Sequence, residues 1–261
     1  MNSEKQKAAC DLLYRHWRDQ TRLENLPEDL RPTERAQAYA VQGCLEAYSG
    51  QPLYGWKIAA TSTAGQKHIG VEGPLAGRLL AERVIEDGGR CEMGNNLMKV
   101  AEVEFAFRMG RDLPPRQKPY TQEEVMAAVA SLHPAIEIPD SRYEHFDKVG
   151  APQLIADNAC GHRFVLGPAA PDSWRELDLS SHRGHAFKNG APAGDGLGSN
   201  VLGGPAVALT WLANELSQHG MTLRTGQVVT TGTCLIPVPI AAGDRIEGNL
   251  GALGRVSVTI D

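Results

Sequence analysis

The sequence predicts an α+β fold in which a helical N-terminal section precedes a domain of short strands. Residues 1–52 carry apolar side chains at helical intervals, whereas residues 53–261 contain short β-like runs separated by glycine. Strands and helices do not alternate regularly in this second section, which argues against a doubly wound parallel sheet. A chain of 261 residues suits one large domain, so the two sections can also form one continuous domain.

Two helices are predicted in the N-terminal section. Apolar residues recur at helical spacing from Ser3 to about Gln20. A second helix is predicted from Thr33 to Tyr48, with Pro32 in its start signal and Gly50 as its stop. Together they account for most of the first 52 residues.

The strand-like runs begin after Gly55 and continue to the C-terminus. Each is short, rich in β-branched or aromatic residues and bounded by turn residues. In chain order they are WKIAAT (56–61), RLLAERVI (78–85), MKVAEVEFAFRM (98–109), GQVVTT (226–231), CLIPVPI (234–240), DRIEG (244–248) and RVSVTI (255–260).

Two further helices are marked within this section. Thr121 and Glu124 form a capping box for a helix whose apolar face is the run VMAAVASL, residues 125–132. The second helix runs from Pro205 to His219, with proline in its first turn and Gly220 just past its end.

The composition excludes several classes of function. A net charge of -5 provides no basic surface for nucleic acid. No apolar run reaches the length of a signal-peptide core or a membrane span, so a cytoplasmic location is expected. The five cysteines are scattered and never form a CxxC pair, which argues against disulfides and a cysteine zinc site.

The most informative segment is VAEVEFAFRM, residues 100–109. Strand alternation places Glu102 and Glu104 on one face and apolar residues on the other. Glu137 lies within the apolar run Ala135–Ile138, which predicts a second buried strand that carries a carboxylate. Neighbouring carboxylates repel one another unless a cation neutralises them or a raised pKa keeps one of them protonated. Mg²⁺ or Mn²⁺ prefers such oxygen ligands.

An E-x-E pair by itself is a weak signal, because solvated acids on a sheet surface far outnumber metal ligands. Other motifs are weaker still. The run Gly194–Gly198 does not complete a dinucleotide fingerprint, and no G-x-S-x-G nucleophile motif occurs. Asp140 and Arg142 are expected either to pair with each other near Glu137 or to orient it.

From about Ala36 to its C-terminus, the chain resembles the fumarylacetoacetate hydrolase superfamily, in the branch of 2-oxopent-4-enoate hydratases and 4-oxalocrotonate decarboxylases. The resemblance depends on many short motifs in the order of the family. They are GWKIAATS (55–62), IGV (69–71), AEVEFAF (101–107), IEIPDSRYEHF (136–146), ADNA (156–159), VLGGPA (201–206), WLA (211–213), LRTG (223–226) and AGD (242–244).

This resemblance implies a mixed β-roll with peripheral helices, whose catalytic domain spans residues 53–261. It implies that Glu102, Glu104 and Glu137 bind Mg²⁺ or Mn²⁺ and that Lys57 is the active-site lysine. It also implies a homo-oligomer, which can associate with a sister hydratase or decarboxylase.

The resemblance also supplies candidate substrate-binding residues. Asn158, Cys160 and Gly161 fall on the segment that lines the family's substrate site, although other members often have serine at the last two positions. Leu75 stands where hydratases of the family commonly carry an acid. A hydratase without that acid would have to recruit another group, and Glu72 is one candidate for it.

The implied activity is a hydratase that adds water to 2-hydroxypenta-2,4-dienoate or a related dienoate and forms a 4-hydroxy-2-oxo acid. The closest alternative is a metal-dependent decarboxylase of a 2-oxohexenedioate, for which an apolar Leu75 is easier to explain. Two further alternatives are a hydrolase of an acylpyruvate and a noncatalytic partner of a sister enzyme.

Overall fold

The computed structural model describes residues 1–261 and confirms an α+β protein built on a mixed β-roll. The helices are α1 Ser3–Asp19, α2 Arg35–Gly43, α3 Thr63–His68, α4 Gln122–Met126, α5 Gly150–Ala156 and α6 Pro205–Gln218. The strands are β1 Gly55–Ala59, β2 Leu75–Leu79, β3 Val84–Glu86, β4 Arg90–Cys91, β5 Val100–Met109, β6 Val129–Ile138, β7 Arg163–Leu166, β8 Arg183–Lys188, β9 Ala191–Leu197, β10 Val228–Thr233, β11 Val238–Pro239, β12 Arg245–Asn249 and β13 Arg255–Ile260.

The strands form two sheets that pack face to face. The larger sheet has the order β2-β1-β10-β5-β6-β7-β3, with β11 paired to β5, and the smaller has the order β4-β13-β12-β8-β9. Their contact is close, since a Cβ on Gly248 of β12 would lie 2.9 Å from the side chain of Val103 on β5. The apolar face of β5 therefore points into the core between the sheets, and its acidic face points to the other side.

The N-terminal helices pack onto the strand domain through a small core of their own. Leu13 and Trp17 of α1 are buried in a cluster that also contains Leu80 and Tyr143. The second predicted helix is shorter than expected, because the α-helical part ends at Gly43 and a 3₁₀ segment follows to Tyr48. The boundary at residue 52 stays a prediction.

Two sequence-based expectations about elements are wrong. The capping box of Thr121 and Glu124 is present, but the helix ends at Met126, and the rest of the apolar run becomes β6. Pairing with β5 along the strand outweighs the local helical pattern there. The run RLLAERVI is also not one strand, because a 3₁₀ turn at Ala81–Arg83 separates β2 from β3, which lie at opposite edges of the larger sheet.

The other helix predictions agree with the structure. α6 begins at Pro205, and Gly220 follows it with a φ of +71°. None of the helices combines the length and the apolar character needed to cross a bilayer.

Gly77 in β2 makes room for the turn at residues 158–160, which carries predicted site residues. A Cβ on Gly77 would lie 2.3 Å from the carbonyl oxygen of Asn158. We expect Gly77→Ala to lower the free energy of unfolding by roughly 1–3 kcal/mol, because the turn must move away from the sheet. Urea denaturation measures this change. Gly73→Ala is the control, since a Cβ there meets no atom within 4 Å, and an equal loss in both variants would contradict the prediction.

Candidate metal site and adjoining cavity

The three predicted carboxylates meet on one face of the larger sheet. Glu102 on β5 lies directly opposite Glu137 on β6, and Glu104 is the next residue of β5 on the same face. One oxygen of each carboxylate lies within 4.8 Å of the others. Glu104 and Glu137 are fully buried, and Glu102 is partly exposed. The pairing of β5 with β6 thus brings the three carboxylates into one cluster.

An irregularity in β10 orients Glu104. The hydroxyl of Thr230 and the backbone N–H of Gly232 both donate to Oε2 of Glu104, the second over 2.7 Å. The irregularity depends on Gly232, which has a φ of +95° and where a Cβ would lie 2.2 Å from Oγ1 of Thr61. With Oε2 held in this way, Oε1 of Glu104 has no hydrogen-bond donor.

The electrostatics of the cluster favour a bound cation. Burial, followed by the charges of Glu137 and Glu102, raises the pKa of Glu104 well above its ordinary value. Burial also raises the pKa of Glu102 and Glu137, against the opposing effect of Lys57. Oε1 of Glu137, like Oε1 of Glu104, is buried without a donor. Oxygen ligands with free lone pairs and mutual repulsion fit a hard divalent cation.

Lys57 on β1 lies beside the acids and is 2 % exposed. Its Nζ is 2.9 Å from Oε2 of Glu137 and donates to the carbonyl oxygen of Ala159 over 3.1 Å. Burial acts to lower the pKa of Lys57, but the charges of Glu137 and Glu102 outweigh it and raise the pKa. Nζ of Lys57 thus makes an ion pair with Glu137 and a hydrogen bond to the turn at Ala159.

The turn that accepts this hydrogen bond has an uncommon backbone. Asn158, Ala159 and Cys160 all have left-handed φ angles, between 49° and 60°. Three such residues in succession, none of them glycine, are held only by strong surrounding contacts. The side chain of Asn158 accepts from the N–H of Arg78 over 2.6 Å and donates to its carbonyl oxygen over 2.8 Å. Asn158 thus fixes the turn to β2.

A buried ion pair supports the same turn, and it corrects the expectation for Asp140 and Arg142. Arg142 pairs with Asp157, immediately before the turn, and donates to the carbonyl oxygen of Gly161. Asp140 instead pairs with Arg22 over 2.7 Å. Asp157 accepts hydrogen bonds from the backbone and side chain of Arg142 and from the hydroxyl of Ser141. These bonds direct Arg142 to Asp157 rather than to Asp140.

A cavity of about 880 Å³ adjoins the cluster. Lys57, Glu102, Ala159 and Cys160 contribute to its wall, together with α3 and the segments around residues 199–203 and 232–237. Outside α3, and with the members of those two segments included, the other lining residues are Ala59, Ala60, Thr61, Ser62, Ile69, Met98, Pro139, Ser199, Asn200, Leu202, Gly203, Gly232, Thr233, Leu235, Ile236 and Pro237. A small organic acid in the cavity can therefore reach Glu102 and Lys57, whereas Glu104 and Glu137 lie behind the wall.

Not every predicted site residue lies at this cavity. Glu72 is exposed, and Leu75 is completely buried in the main hydrophobic core. Neither of them lines the cavity. Asn158 and Gly161 also lie outside its lining, where they support the turn, while Cys160 is part of the wall.

Comparison with known proteins identifies the family. The profile of the fumarylacetoacetate (FAA) hydrolase C-terminal family matches residues 83–261. The chain belongs to the fumarylacetoacetate hydrolase family. It is 34% identical to the TodF product hydratase of Pseudomonas putida F1, over 96% of this chain and 93% of that protein. It is 37% identical to the 2-hydroxyhexa-2,4-dienoate hydratase of Comamonas testosteroni, over 82% and 80% of the two chains.

A solved structure agrees in fold along the whole chain. The 4-oxalocrotonate decarboxylase of Pseudomonas putida G7, complexed with magnesium and adipate, superposes with a TM-score of 0.90 at 29% identity. The match covers 100% of this chain and 99% of that one. The architecture described above is thus also that of this decarboxylase.

Sequence reasoning missed the residues that orient Glu104. Thr230 and Gly232 lie more than a hundred residues further along the chain, and the run TTGT reads as an ordinary strand end. A glycine at the end of a β-branched run is the one local sign of a bulge.

We expect Thr230→Val to weaken Mg²⁺ binding by about ten- to a hundredfold, because Glu104 loses a donor that fixes its orientation. Isothermal titration calorimetry measures the affinity. Thr231→Val is the matched control, since its hydroxyl donates over 3.0 Å to the carbonyl oxygen of Phe105 rather than to a carboxylate. Equal affinities in the two variants would remove Thr230 from the metal site.

Proposed function

We propose that the protein is a metal-dependent hydratase that adds water to 2-hydroxypenta-2,4-dienoate or a closely related dienoate and forms a 4-hydroxy-2-oxo acid. The observation that carries this proposal is the cluster of Glu102, Glu104 and Glu137 beside Lys57, of which Glu102 and Lys57 line the cavity. The names of the similar hydratases support the reaction class and the kind of substrate.

Mg²⁺ or Mn²⁺ is the proposed cofactor, and Glu102, Glu104 and Glu137 would hold it. When bound, such an ion supplies a Lewis acid that stabilises negative charge on the 2-oxo oxygen of the substrate. The free oxygens of Glu104 and Glu137 make the cluster suitable for this role.

Lys57 is the proposed proton carrier. Hydration of the dienoate removes the proton of the 2-hydroxyl group, adds hydroxide at C4 and places protons on C3 and C5. Lys57 lies on the cavity wall, where its Nζ is held by the ion pair with Glu137 and the hydrogen bond to Ala159. We assign the proton transfers to Lys57 rather than to Glu72, because Glu72 does not reach the cavity.

The surrounding elements hold these groups in place. The turn at residues 158–160 fixes Nζ of Lys57 through the carbonyl oxygen of Ala159. The bulge at Gly232 fixes Glu104. A site on paired strands, with its side chains oriented by further hydrogen bonds, keeps its geometry without paying a reorganisation cost during the reaction.

A decarboxylase acting on a 2-oxohexenedioate is the second candidate, because the decarboxylase structure superposes over the full chain. The same acids and lysine would serve the loss of CO₂, whose bonding electrons pass to the 2-oxo group as an enolate. The cytoplasmic location, the homo-oligomer and the association with a sister enzyme stay predictions.

The two functions are separated by supplying each substrate with Mg²⁺ or Mn²⁺. A hydratase consumes 2-hydroxypenta-2,4-dienoate, seen as loss of its ultraviolet absorbance, and forms 4-hydroxy-2-oxopentanoate. A decarboxylase releases CO₂ from 2-oxohex-3-enedioate. Release of CO₂ without consumption of the dienoate would reverse the proposal, and inactivity on both substrates would reject both functions.

A further inference from the structure

We propose that Arg83, His162 and Arg163 form a second binding site, which takes a free tetrahedral dianion such as sulfate or hydrogen phosphate. All three residues are partly exposed. None of them lines the cavity at Glu102 and Lys57. The site is therefore separate from the proposed hydration reaction, and binding there can be measured without turnover.

Two arginines lie side by side where β3 and β7 begin. The parallel pairing of Val84 with Phe164 places Arg83 beside Arg163, because each arginine immediately precedes its paired residue. Neighbouring strands are only about 4.8 Å apart. Burial, followed by the charge of Arg163, lowers the pKa of Arg83. The two positive charges therefore repel each other unless an anion lies between them.

Neither arginine has an acidic partner in the protein. The guanidinium of Arg83 lies over the ring of Trp17, 4.6 Å from its centre, and forms no ion pair. Arg163 forms none either, and its Nε is buried without an acceptor. The nearby Glu82 is exposed, accepts from the hydroxyl of Ser49 over 2.8 Å, and acts on Arg83 less than Arg163 does. Two charges in half-buried surroundings are thus left uncompensated.

The number of uncompensated charges indicates the charge of the ligand. Two further arginines nearby are already neutralised, since they form the ion pairs Arg142–Asp157 and Arg22–Asp140. An excess of two positive charges remains, which a dianion balances and a monocarboxylate only halves. Guanidinium groups also present paired N–H donors whose geometry suits the oxygens of phosphate or sulfate.

His162 adds a neutral donor next to Arg163. Nε1–H of Trp17 donates to Nδ1 of His162 over 2.7 Å. An indole N–H can only donate, so Nδ1 accepts and the neutral ring carries its proton on Nε2. Burial, followed by the charges of Arg142 and Arg163, lowers the pKa of His162 to about 2, which keeps the ring neutral. Its Nε2–H has no acceptor in the protein and is available to an anion.

The test measures sulfate binding to the Mg²⁺-loaded protein by calorimetry, at an ionic strength held constant with chloride. Sulfate is the probe because it carries two charges throughout the neutral pH range. We expect saturable binding, which Arg83→Gln and Arg163→Gln each weaken by about tenfold or more, since each variant removes a charge-assisted hydrogen bond. Arg111→Gln is the matched control, because that arginine is exposed and lies just beyond β5, outside the site.

Three outcomes would overturn the inference. The first is the absence of saturable sulfate binding. The second is binding that Arg83→Gln and Arg163→Gln both retain, because the sulfate would then lie elsewhere, for example at the metal ion. The third is an equal loss of affinity in Arg111→Gln, which would show a general effect of net charge rather than a site.

Thermal stability provides a second test that does not depend on calorimetric heats. Sulfate stabilises folded proteins in general, so its effect is compared between variants at equal sulfate concentration. A site-bound anion adds stability by mass action. We therefore expect sulfate to raise the melting temperature of the wild-type protein and of Arg111→Gln more than that of Arg83→Gln or Arg163→Gln. An equal rise in all four proteins contradicts the inference.

Discussion

Glu104→Gln is expected to abolish metal-dependent turnover and to lower Mg²⁺ affinity by more than about a hundredfold, because a lost ligand costs more than a lost supporting hydrogen bond. Glutamine has nearly the same shape, and the donors at Thr230 and Gly232 can still bond to its amide oxygen. The fold should therefore remain intact. Calorimetry measures the affinity, and circular dichroism checks the fold.

The same substitution should stabilise the metal-free protein. Three buried carboxylates at close range repel one another, and burial adds the cost of lost hydration. Removing one charge relieves both effects, so the melting temperature without metal should rise. Glu123→Gln, at an exposed position on α4, is the control. An unchanged Mg²⁺ affinity in Glu104→Gln would exclude the proposed metal site.

Lys57→Met is expected to lower kcat by on the order of a hundredfold, the usual contribution of a general acid or base. The methionine fills the space of the lysine stem but can neither donate a proton nor bond to Ala159 and Glu137. Turnover is measured at saturating Mg²⁺. Lys67→Met on the neighbouring α3 is the control, because that lysine is exposed and does not line the cavity.

The stability of this variant separates the catalytic role from a structural one. Without Lys57 the charge of Glu137 is buried with no cation, which destabilises the metal-free protein by about 3–5 kcal/mol. A bound metal ion supplies positive charge there, so Mg²⁺ should restore most of the loss while kcat stays low. Near-normal kcat together with reduced stability would show that Lys57 only supports the fold.

The local sequence was sufficient to predict several features of the fold and the site. Alternation along β5 placed Glu102 and Glu104 on one face, because successive strand side chains point in opposite directions whatever the strand pairs with. The capping box at Thr121 was visible because its hydrogen bonds span only three residues. Glu137 was predicted as a metal ligand because a carboxylate within an apolar strand requires a cation or a hydrogen-bond donor.

Other features had no adequate local signal. The apolar run after Val125 has helical spacing, but pairing with β5 makes most of it a strand, and that competition depends on distant residues. The turn at residues 158–160 contains no glycine in its left-handed positions, so the usual sign of such a backbone is missing. The partner of Arg142 was missed because Asp157 lies in another element.

The sequence by itself determined which residues are candidates for the chemistry, because side-chain type and strand periodicity are local properties. The tertiary structure alone decided how those residues meet. Strand register set Glu102 opposite Glu137, and the β10 bulge aimed Glu104. Folding also placed Glu72 and Leu75 outside the cavity that Lys57 borders. Register and cavity shape arise from contacts between segments far apart in the chain, and the spacing of residues within one segment does not encode them.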